Sequence, residues 1–127
     1  MENSGNPVGW FELYVSDMER ARTFYSAVFG RELIALPEVG EGGEMYAFSW
    51  VEGAAGAAGA LVRHPMVRPG MGGTMVYFSC ADVADEAERA AQAGGRIIRP
   101  KMSIGQYGHI ALVEDTEGNT IGLHSMR

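Results

Sequence analysis

The sequence has a single cysteine and a single lysine, and each shortage excludes or disfavours a class of protein. Cys80 has no second cysteine with which to form an internal disulfide, and a cysteine-based zinc cluster is excluded for the same reason. Lys101 is the only lysine, and ten basic residues stand against sixteen acidic ones, so the net charge is −6. Because nucleic-acid binding uses clustered basic side chains to displace counterions, this composition argues against a nucleic-acid partner.

Long apolar runs are missing as well. No stretch approaches the roughly 20 residues of a membrane-spanning helix, and the opening MENSGNPVG lacks the basic start and apolar stretch of a signal peptide. We therefore predict a cytoplasmic protein with no membrane partner. With 127 residues, 46% of them hydrophobic, the chain is long enough to bury the core of one domain.

A strand followed by a capped helix is predicted near the N-terminus. In residues 10–15, WFELYV, apolar and mixed side chains alternate, which is typical of a strand. Ser16 is predicted to begin the helix through a Ser-x-x-Glu capping box with Glu19, and Gly30 to end it. Apolar residues recur between these ends at helical spacing, and they predict one apolar stripe: Ala21, Phe24, Tyr25, Val28 and Phe29.

The same pattern returns 65 residues later. The spacing from Asp17 to Gly30 equals the spacing from Asp82 to Gly95, and an alternating segment at 75–80 precedes the second helix. The second helix has its own apolar stripe, formed by Val83, Ala87, Ala90 and Ala91. Self-similarity of this kind defines the folding unit, so the chain is predicted to contain two copies of one unit.

Three further strands are predicted after each helix. They lie near 31–36, 44–50 and 58–63 in the first half, and near 96–99, 108–114 and 119–125 in the second. The turn DTEGN joins the last two strands. We therefore predict a single α+β domain over residues 1–127, with a βαβββ module at about 7–63, a linker rich in glycine and proline at 64–73, and a second βαβββ module at about 74–127.

The paired modules, the stretch VSDMERARTFYSAVFG and the later EDTEGNTIGLH resemble the vicinal oxygen chelate superfamily. That superfamily includes glyoxalases, bleomycin-resistance proteins and extradiol dioxygenases. The resemblance covers nearly the whole chain, and it implies that two tandem βαβββ modules form a curled eight-stranded mixed sheet. It does not specify a function, since the same scaffold serves lyases, dioxygenases, transferases and binding proteins.

The resemblance also implies where a metal would be bound. In enzymatic members each half contributes two ligands, and the corresponding positions here are Trp10, Met75, Gly122 and one residue within 53–62, GAAGAAGALV. None of these offers the imidazole nitrogen or carboxylate oxygen that divalent metals need. His124 approaches position 122 by a shift of two residues, but one histidine does not hold a metal. We therefore expect neither a metal nor another cofactor.

One face of the first strand of each module is predicted to bind a ligand. Because strand side chains alternate between faces, the residues on this face are Trp10, Glu12, Tyr14, Met75 and Tyr77. Binding pockets are mostly apolar with a few placed polar groups, as these residues are. Alternatively, these side chains only fill the cleft, as those of a partly solvated sheet face do. Glu12 could contact a cationic ligand, or act as a base if burial raised its pKa. Alternatively, it pairs with an arginine such as Arg63 or Arg99, or lies in solvent.

Two histidines complete the predicted binding residues. His109 and His124 are predicted on adjacent strands of the second half, where a histidine pair beside a carboxylate could transfer protons. The alternative is that each is structural. The sequence has no Ser-His-Asp spacing, P-loop or dinucleotide-binding glycine motif.

Three functions remain open on this evidence. The leading hypothesis is a metal-free protein that binds and sequesters a small, partly aromatic molecule, as bleomycin-resistance relatives do. The second is an enzyme, either a glyoxalase-like lyase or isomerase or a dioxygenase-related protein with a non-standard site. The third is a protein-interaction module with a vestigial cleft. A homodimer is also expected, because the predicted binding face is too aromatic to leave in water.

Overall fold

The computed structural model describes residues 5–37 and 42–127. Within these ranges the elements follow the order β1 Val8–Tyr14, α1 Met18–Phe29, β2 Leu33–Leu36, β3 Glu44–Phe48, β4 Ala58–Arg63, β5 Thr74–Ser79, α2 Val83–Gln92, β6 Arg96–Ser103, a short 3-10 helix Gly105–Tyr107, β7 His109–Glu114 and β8 Thr120–Ser125. The predicted α+β fold class, with two βαβββ modules, is confirmed. In this described part of the chain, neither α-helix is long and apolar enough to cross a membrane.

The chain forms two compact units. The N-terminal unit is Trp10–Met75, and the C-terminal unit is Val76–Arg127 together with the described residues 5–9. In the N-terminal unit the strand order is β2-β3-β4-β1, with β1 parallel to β4 and the other pairs antiparallel. In the C-terminal unit the order is β6-β7-β8-β5, with β5 parallel to β8. The two units therefore have the same internal topology, as the repeat predicts.

Helix α2 packs on the C-terminal unit through the stripe predicted for it. Val83 and Ala87 are buried against Ala111, Val113 and Leu123 of β7 and β8. Asp82 caps the helix, because its carboxylate accepts a hydrogen bond from the backbone N–H of Ala84 at 3.0 Å. The same core includes Cys80, and burial raises the pKa of its thiol to about 11. The thiol is therefore protonated at neutral pH and behaves as a packed side chain.

The predicted capping box of α1 is wrong. The helix begins at Met18, and Asp17 is its N-cap: the Asp17 carboxylate accepts a hydrogen bond from the Arg20 backbone N–H at 3.0 Å. The Ser16 hydroxyl instead accepts a hydrogen bond from the Arg20 guanidinium at 3.3 Å. A capping box with Ser16 and Glu19 needs a helix that begins one residue earlier, and the extended backbone of Asp17 prevents that.

Most of the predicted apolar stripe of α1 is exposed. Phe24, Val28 and Phe29 are 57%, 54% and 62% exposed. Of the predicted stripe, Tyr25 does meet the sheet, where it packs edge-on against Phe48. Beside it lies Arg22, which is outside the stripe and whose guanidinium is 4.1 Å from the centre of the Tyr46 ring. Because residues three and four positions apart share a helix face, contact through residues 22 and 25 turns the predicted stripe partly toward solvent.

The capping geometry gives a direct test at two neighbouring residues. We expect Asp17→Ala to lower the free energy of unfolding by about 1 kcal/mol, because an N-cap acceptor is lost. Ser16→Ala, the matched control, should change the free energy of unfolding by less than about 0.5 kcal/mol. Urea denaturation monitored by circular dichroism measures both values. If Ser16→Ala lowered the free energy of unfolding more than Asp17→Ala, the N-cap would be Ser16, as the capping box predicts.

Candidate functional site

Strand β1 carries three of the predicted binding residues on one face of the N-terminal unit. Trp10, Glu12 and Tyr14 alternate with Phe11 and Leu13, so they point to the same side of the strand. We call these three residues the β1 cluster. The residues paired with them on β4 are small or medium-sized: Ala58 opposite Trp10, Ala60 opposite Glu12 and Val62 opposite Tyr14.

The Glu12 carboxylate is at the centre of the β1 cluster. One of its oxygens accepts a hydrogen bond from the Trp10 indole N–H at 3.2 Å, and the other accepts one from the Tyr14 hydroxyl at 3.2 Å. Glu12 is only 9% exposed and Tyr14 only 8%. A buried carboxylate is costly unless it is hydrogen-bonded, and the two aromatic side chains on either side of Glu12 supply the donors.

Burial and the negative charge of Glu12 raise the pKa of Tyr14 well above the ordinary value for a tyrosine. Burial is the larger cause, followed by the charge of Glu12 and by the hydrogen bond to it. Ionising this phenol would place a second negative charge beside a buried carboxylate. Tyr14 therefore remains a hydrogen-bond donor throughout the physiological pH range.

The surroundings of the β1 cluster are apolar. Tyr14 belongs to a buried core with Ala47, Ala60 and Val62, and the side chains of Trp10 and Met75 pack against it, as do Leu36, Met45 and Val67. Four of the predicted binding residues, Trp10, Glu12, Tyr14 and Met75, thus belong to this region of the N-terminal unit. Sequence reasoning missed Ala47 and Ala60, which are fully buried and leave room for the large side chains. The alternation of β3 and β4 is the signal that would have found them.

Of the alternative roles predicted for Glu12, exposure to solvent is wrong, and pairing with an arginine stays a prediction. The side chain is buried, so it does not lie in solvent. Arg63 is paired with Glu44, with 2.7 Å between the arginine Nε and a carboxylate oxygen. Within the N-terminal unit the carboxylate accepts hydrogen bonds from an aromatic N–H group and an aromatic O–H group.

In the C-terminal unit, Tyr77 and His124 share a face. Tyr77 of β5 is paired with Gly122 of β8, and His124 follows Gly122 by two residues. The His124 Nε2 atom lies 2.6 Å from the backbone carbonyl of Tyr107, to which it donates a hydrogen bond. This contact fixes the imidazole beside the short 3-10 helix.

His109 lies on the opposite face of the same sheet. It is paired with Ser125, whereas His124 is paired with Ile110, so the two imidazoles are on adjacent strands but leave the sheet in opposite directions. Among the described side chains none forms a hydrogen bond with the buried Nδ1 atom of His109. The predicted histidine pair is therefore not formed, because the register of β7 and β8 is offset by one residue from the register that pairing would need.

The residues at the four metal positions that the resemblance implies do not fit a metal. The Trp10 indole donates to Glu12, and Met75 offers only a thioether. Gly122 has no side chain, and a Cβ atom built on it would overlap with the Tyr77 ring. Among the residues that the structure describes, no group of three or more His, Cys, Asp and Glu side chains is arranged to hold a metal ion.

Comparison with known proteins identifies related sequences over nearly the whole chain. The family model of the Glyoxalase/Bleomycin resistance protein/Dioxygenase superfamily matches residues 8–123. Proteins named as a candidate glyoxylase, CFP32, in Mycobacterium bovis and Mycobacterium tuberculosis are each 30% identical over 121 residues, which is 94% of this chain and 45% of theirs. The chain thus spans about half the length of the curated relatives it matches.

Solved structures show the same fold. Methylmalonyl-CoA epimerase from Mycobacterium tuberculosis superposes with a TM-score of 0.71 at 16% identity, covering 100% of this chain and 93% of that one. A variant of the Streptomyces coelicolor methylmalonyl-CoA epimerase, in complex with 2-nitronate-propionyl-CoA, gives 0.69 at 18% identity over 96% of this chain and 95% of that one. A hypothetical protein from Bacillus halodurans gives 0.71 at 9% identity, over 94% of each chain. At these identities the likeness concerns the fold alone.

The raised pKa of Tyr14 predicts a loss of stability in alkali. The unfolded chain releases the Tyr14 proton near pH 10, whereas the folded chain retains it, so the contribution of Tyr14 to stability should be constant below pH 10 and should be lost as the pH rises further. This loss adds to one that begins near pH 9, because burial also raises the pKa of Cys80. Tyr14→Phe should reduce this fall, and Tyr107→Phe, which removes the hydroxyl of an exposed tyrosine, should not. Thermal denaturation between pH 8 and pH 11 measures the effect. Identical profiles for the wild type and Tyr14→Phe would contradict the assignment.

Proposed function

Because the chain belongs to the Glyoxalase/Bleomycin resistance protein/Dioxygenase superfamily, we propose that it binds and sequesters a small, partly aromatic molecule without a metal. The observation that carries this proposal is the Glu12 carboxylate, held between the Trp10 indole and the Tyr14 hydroxyl on an apolar sheet face. Members of this superfamily include binding proteins as well as enzymes, so the choice between these two functions is argued from the residues of the site.

The β1 cluster favours a ligand with a positive charge or a strong hydrogen-bond donor. A carboxylate in apolar surroundings interacts with a cation more strongly than it would in water. The Trp10 ring, which is only partly buried, can add a cation–π contact next to the carboxylate. Apolar surfaces with one or two placed polar groups are the usual design of small-molecule sites.

The metal-free part of the proposal is supported by the donor groups at the four implied positions. An indole N–H, a thioether, a glycine and an Ala- and Gly-rich strand cannot replace imidazole and carboxylate ligands. Moreover, the indole N–H is already used in the hydrogen bond to Glu12.

A second candidate function is proton transfer by an enzyme of the lyase or isomerase type. It is favoured by the relatives named as glyoxylases, by the epimerases among the structural neighbours, and by the buried carboxylate of Glu12. A carboxylate in reach of a bound substrate can act as a base toward a C–H group next to a carbonyl. Under this candidate Glu12→Gln would abolish turnover, whereas a sequestering protein would show no turnover in any variant.

Glu12→Gln tests the recognition role without changing the shape of the side chain. The introduced amide oxygen can accept from Trp10 while its NH₂ group donates to the Tyr14 hydroxyl, so the free energy of unfolding should change by less than about 1 kcal/mol. The affinity for benzamidine, a small cationic aromatic probe, should fall about tenfold, a difference of about 1.4 kcal/mol. The affinity for benzamide, its neutral counterpart, should change less than about twofold. Isothermal titration calorimetry measures both affinities.

Glu44→Gln is the matched control, because it removes a carboxylate that is paired with Arg63 on the surface. It should leave the affinity for benzamidine unchanged. Equal weakening by Glu44→Gln and Glu12→Gln would mean that the probe responds to net charge rather than to the β1 cluster. Unfolding of Glu12→Gln would make Glu12 a folding residue and would end the recognition hypothesis.

We also propose that the protein is a homodimer, although on a different basis from the sequence prediction. Tyr14 and Tyr77 are each only 8% exposed in a single chain, so the predicted binding face does not leave these aromatics in water. The large exposed apolar side chains of the N-terminal unit include three on α1: Phe24, Val28 and Phe29. An apolar patch of this kind is typical of a contact surface, and closed twofold pairing is its commonest use.

The homodimer proposal predicts a mass of twice 13.7 kDa by light scattering at micromolar concentration. Val28→Lys should convert the dimer to a monomer, because it places a charge within the apolar patch formed by Phe24, Val28 and Phe29 on α1. Val51→Lys, at a position that is 75% exposed but outside α1, is the control and should leave the mass unchanged. A monomeric wild type, or a dimer that survives Val28→Lys, would contradict the proposal.

A further inference from the structure

In the C-terminal unit the Tyr77 ring of β5 lies against Gly122 of β8. The two residues are paired in register on neighbouring parallel strands. A Cβ atom built on Gly122 would overlap with the Cδ2 and Cε2 atoms of the ring and would lie 2.7 Å from its Cγ atom. Tyr77 is only 8% exposed, so its ring cannot simply turn into solvent.

The Tyr77 ring occupies the space that a side chain at position 122 would need. Strand side chains alternate, so positions 122 and 124 of β8 share one face, while Leu123 points to the other face and into the core under α2. Tyr77 of β5, His124 of β8 and Leu112 of β7 therefore share the face of position 122.

We infer that Tyr77 closes position 122 to every metal-binding side chain, so that metal is excluded by the packing of β5 on β8 and not merely by the absence of a ligand. A carboxylate or imidazole at position 122 would have to displace a buried aromatic ring. This inference rests on the metal-free part of the proposed function, but the packing on which it depends can be tested without any ligand.

The 65-residue repeat shows what Tyr77 replaces within the fold. Tyr77 is the counterpart of Glu12, and Met75 is the counterpart of Trp10. In the N-terminal unit this strand position holds a carboxylate next to Ala60, whereas in the C-terminal unit it holds a ring next to Gly122. Position 122 is thus limited to glycine for as long as position 77 is aromatic.

A double-mutant cycle tests the packing. Gly122→Ala should lower the melting temperature of the wild type, because the added Cβ meets the Tyr77 ring. In a Tyr77→Ala background the same substitution should cost less than half of that shift. Gly118→Ala, in the turn after β7, is the control and should cost the same in both backgrounds. Tyr77→Val provides a second background if Tyr77→Ala does not fold, and equal shifts for Gly122→Ala in all backgrounds would overturn the inference.

Metal binding by a designed chelate tests the exclusion itself. Gly122→His places an imidazole two residues from His124 on the same strand face. Two imidazoles are ligands that suit Ni²⁺. The single variant should bind no Ni²⁺ because Tyr77 blocks the new side chain. With Tyr77→Ala added, the variant should retain about one Ni²⁺ per chain after desalting, and His124→Ala should abolish that binding.

Elemental analysis of the desalted proteins provides the measurement. Equal Ni²⁺ content in the single and double variants would overturn the inference, because Tyr77 would then make no difference. Close to one Ni²⁺ or Zn²⁺ per chain in the wild type would also overturn it. If the packing cycle succeeded while benzamidine failed to bind the wild type, the steric exclusion would stand and the proposed ligand class would fall.

Discussion

The packing of the N-terminal unit around β1 depends on one buried negative charge on an apolar sheet face. The Glu12 carboxylate is buried, and each of its oxygens needs a hydrogen bond to offset the loss of water. The two-residue period of a strand places residues 10 and 14 on either side of it, so an indole and a phenol there can donate to both oxygens. The fully buried Ala47 and Ala60 on the neighbouring strands leave space for these three large side chains.

The C-terminal unit uses the same topology without such a charge. Its core lies under α2, where Val83 and Ala87 meet the side chains of β7 and β8, and it does not involve the Tyr77 face. The side chains on the Tyr77 face can therefore differ from those of the N-terminal unit without disturbing this core. At the position equivalent to Glu12, the C-terminal unit has the Tyr77 ring, which packs on Gly122. A repeat that specifies the fold twice can thus carry two different surfaces, because the strand period separates the core face from the opposite face.

The two helices show that periodicity predicts a helix better than it predicts the orientation of the helix. The stripe of α2 is small, mostly alanine, and it packs closely on the sheet. The stripe of α1 is bulky; its Tyr25 meets the sheet on Phe48 beside Arg22 on Tyr46, while Phe24, Val28 and Phe29 are exposed. Which edge of a helix is buried depends on the side chains that the sheet presents, and in α1 those are the aromatic rings of β3.

The sequence by itself determined the elements, their order and the side of each strand on which a residue lies, because these follow from local periods of two and 3.6 residues and from turn and cap residues. It predicted the strand of Glu12, the shared face of Trp10 and Tyr14, and the absence of metal ligands at positions 10, 75 and 122. Only the tertiary structure decided that Glu12 is buried, that His109 and His124 leave β7 and β8 in opposite directions, and that Tyr77 covers Gly122. The physical reason is that burial, register and ring packing depend on residues distant in the chain, and a local pattern carries no information about the neighbour that long-range pairing brings beside it.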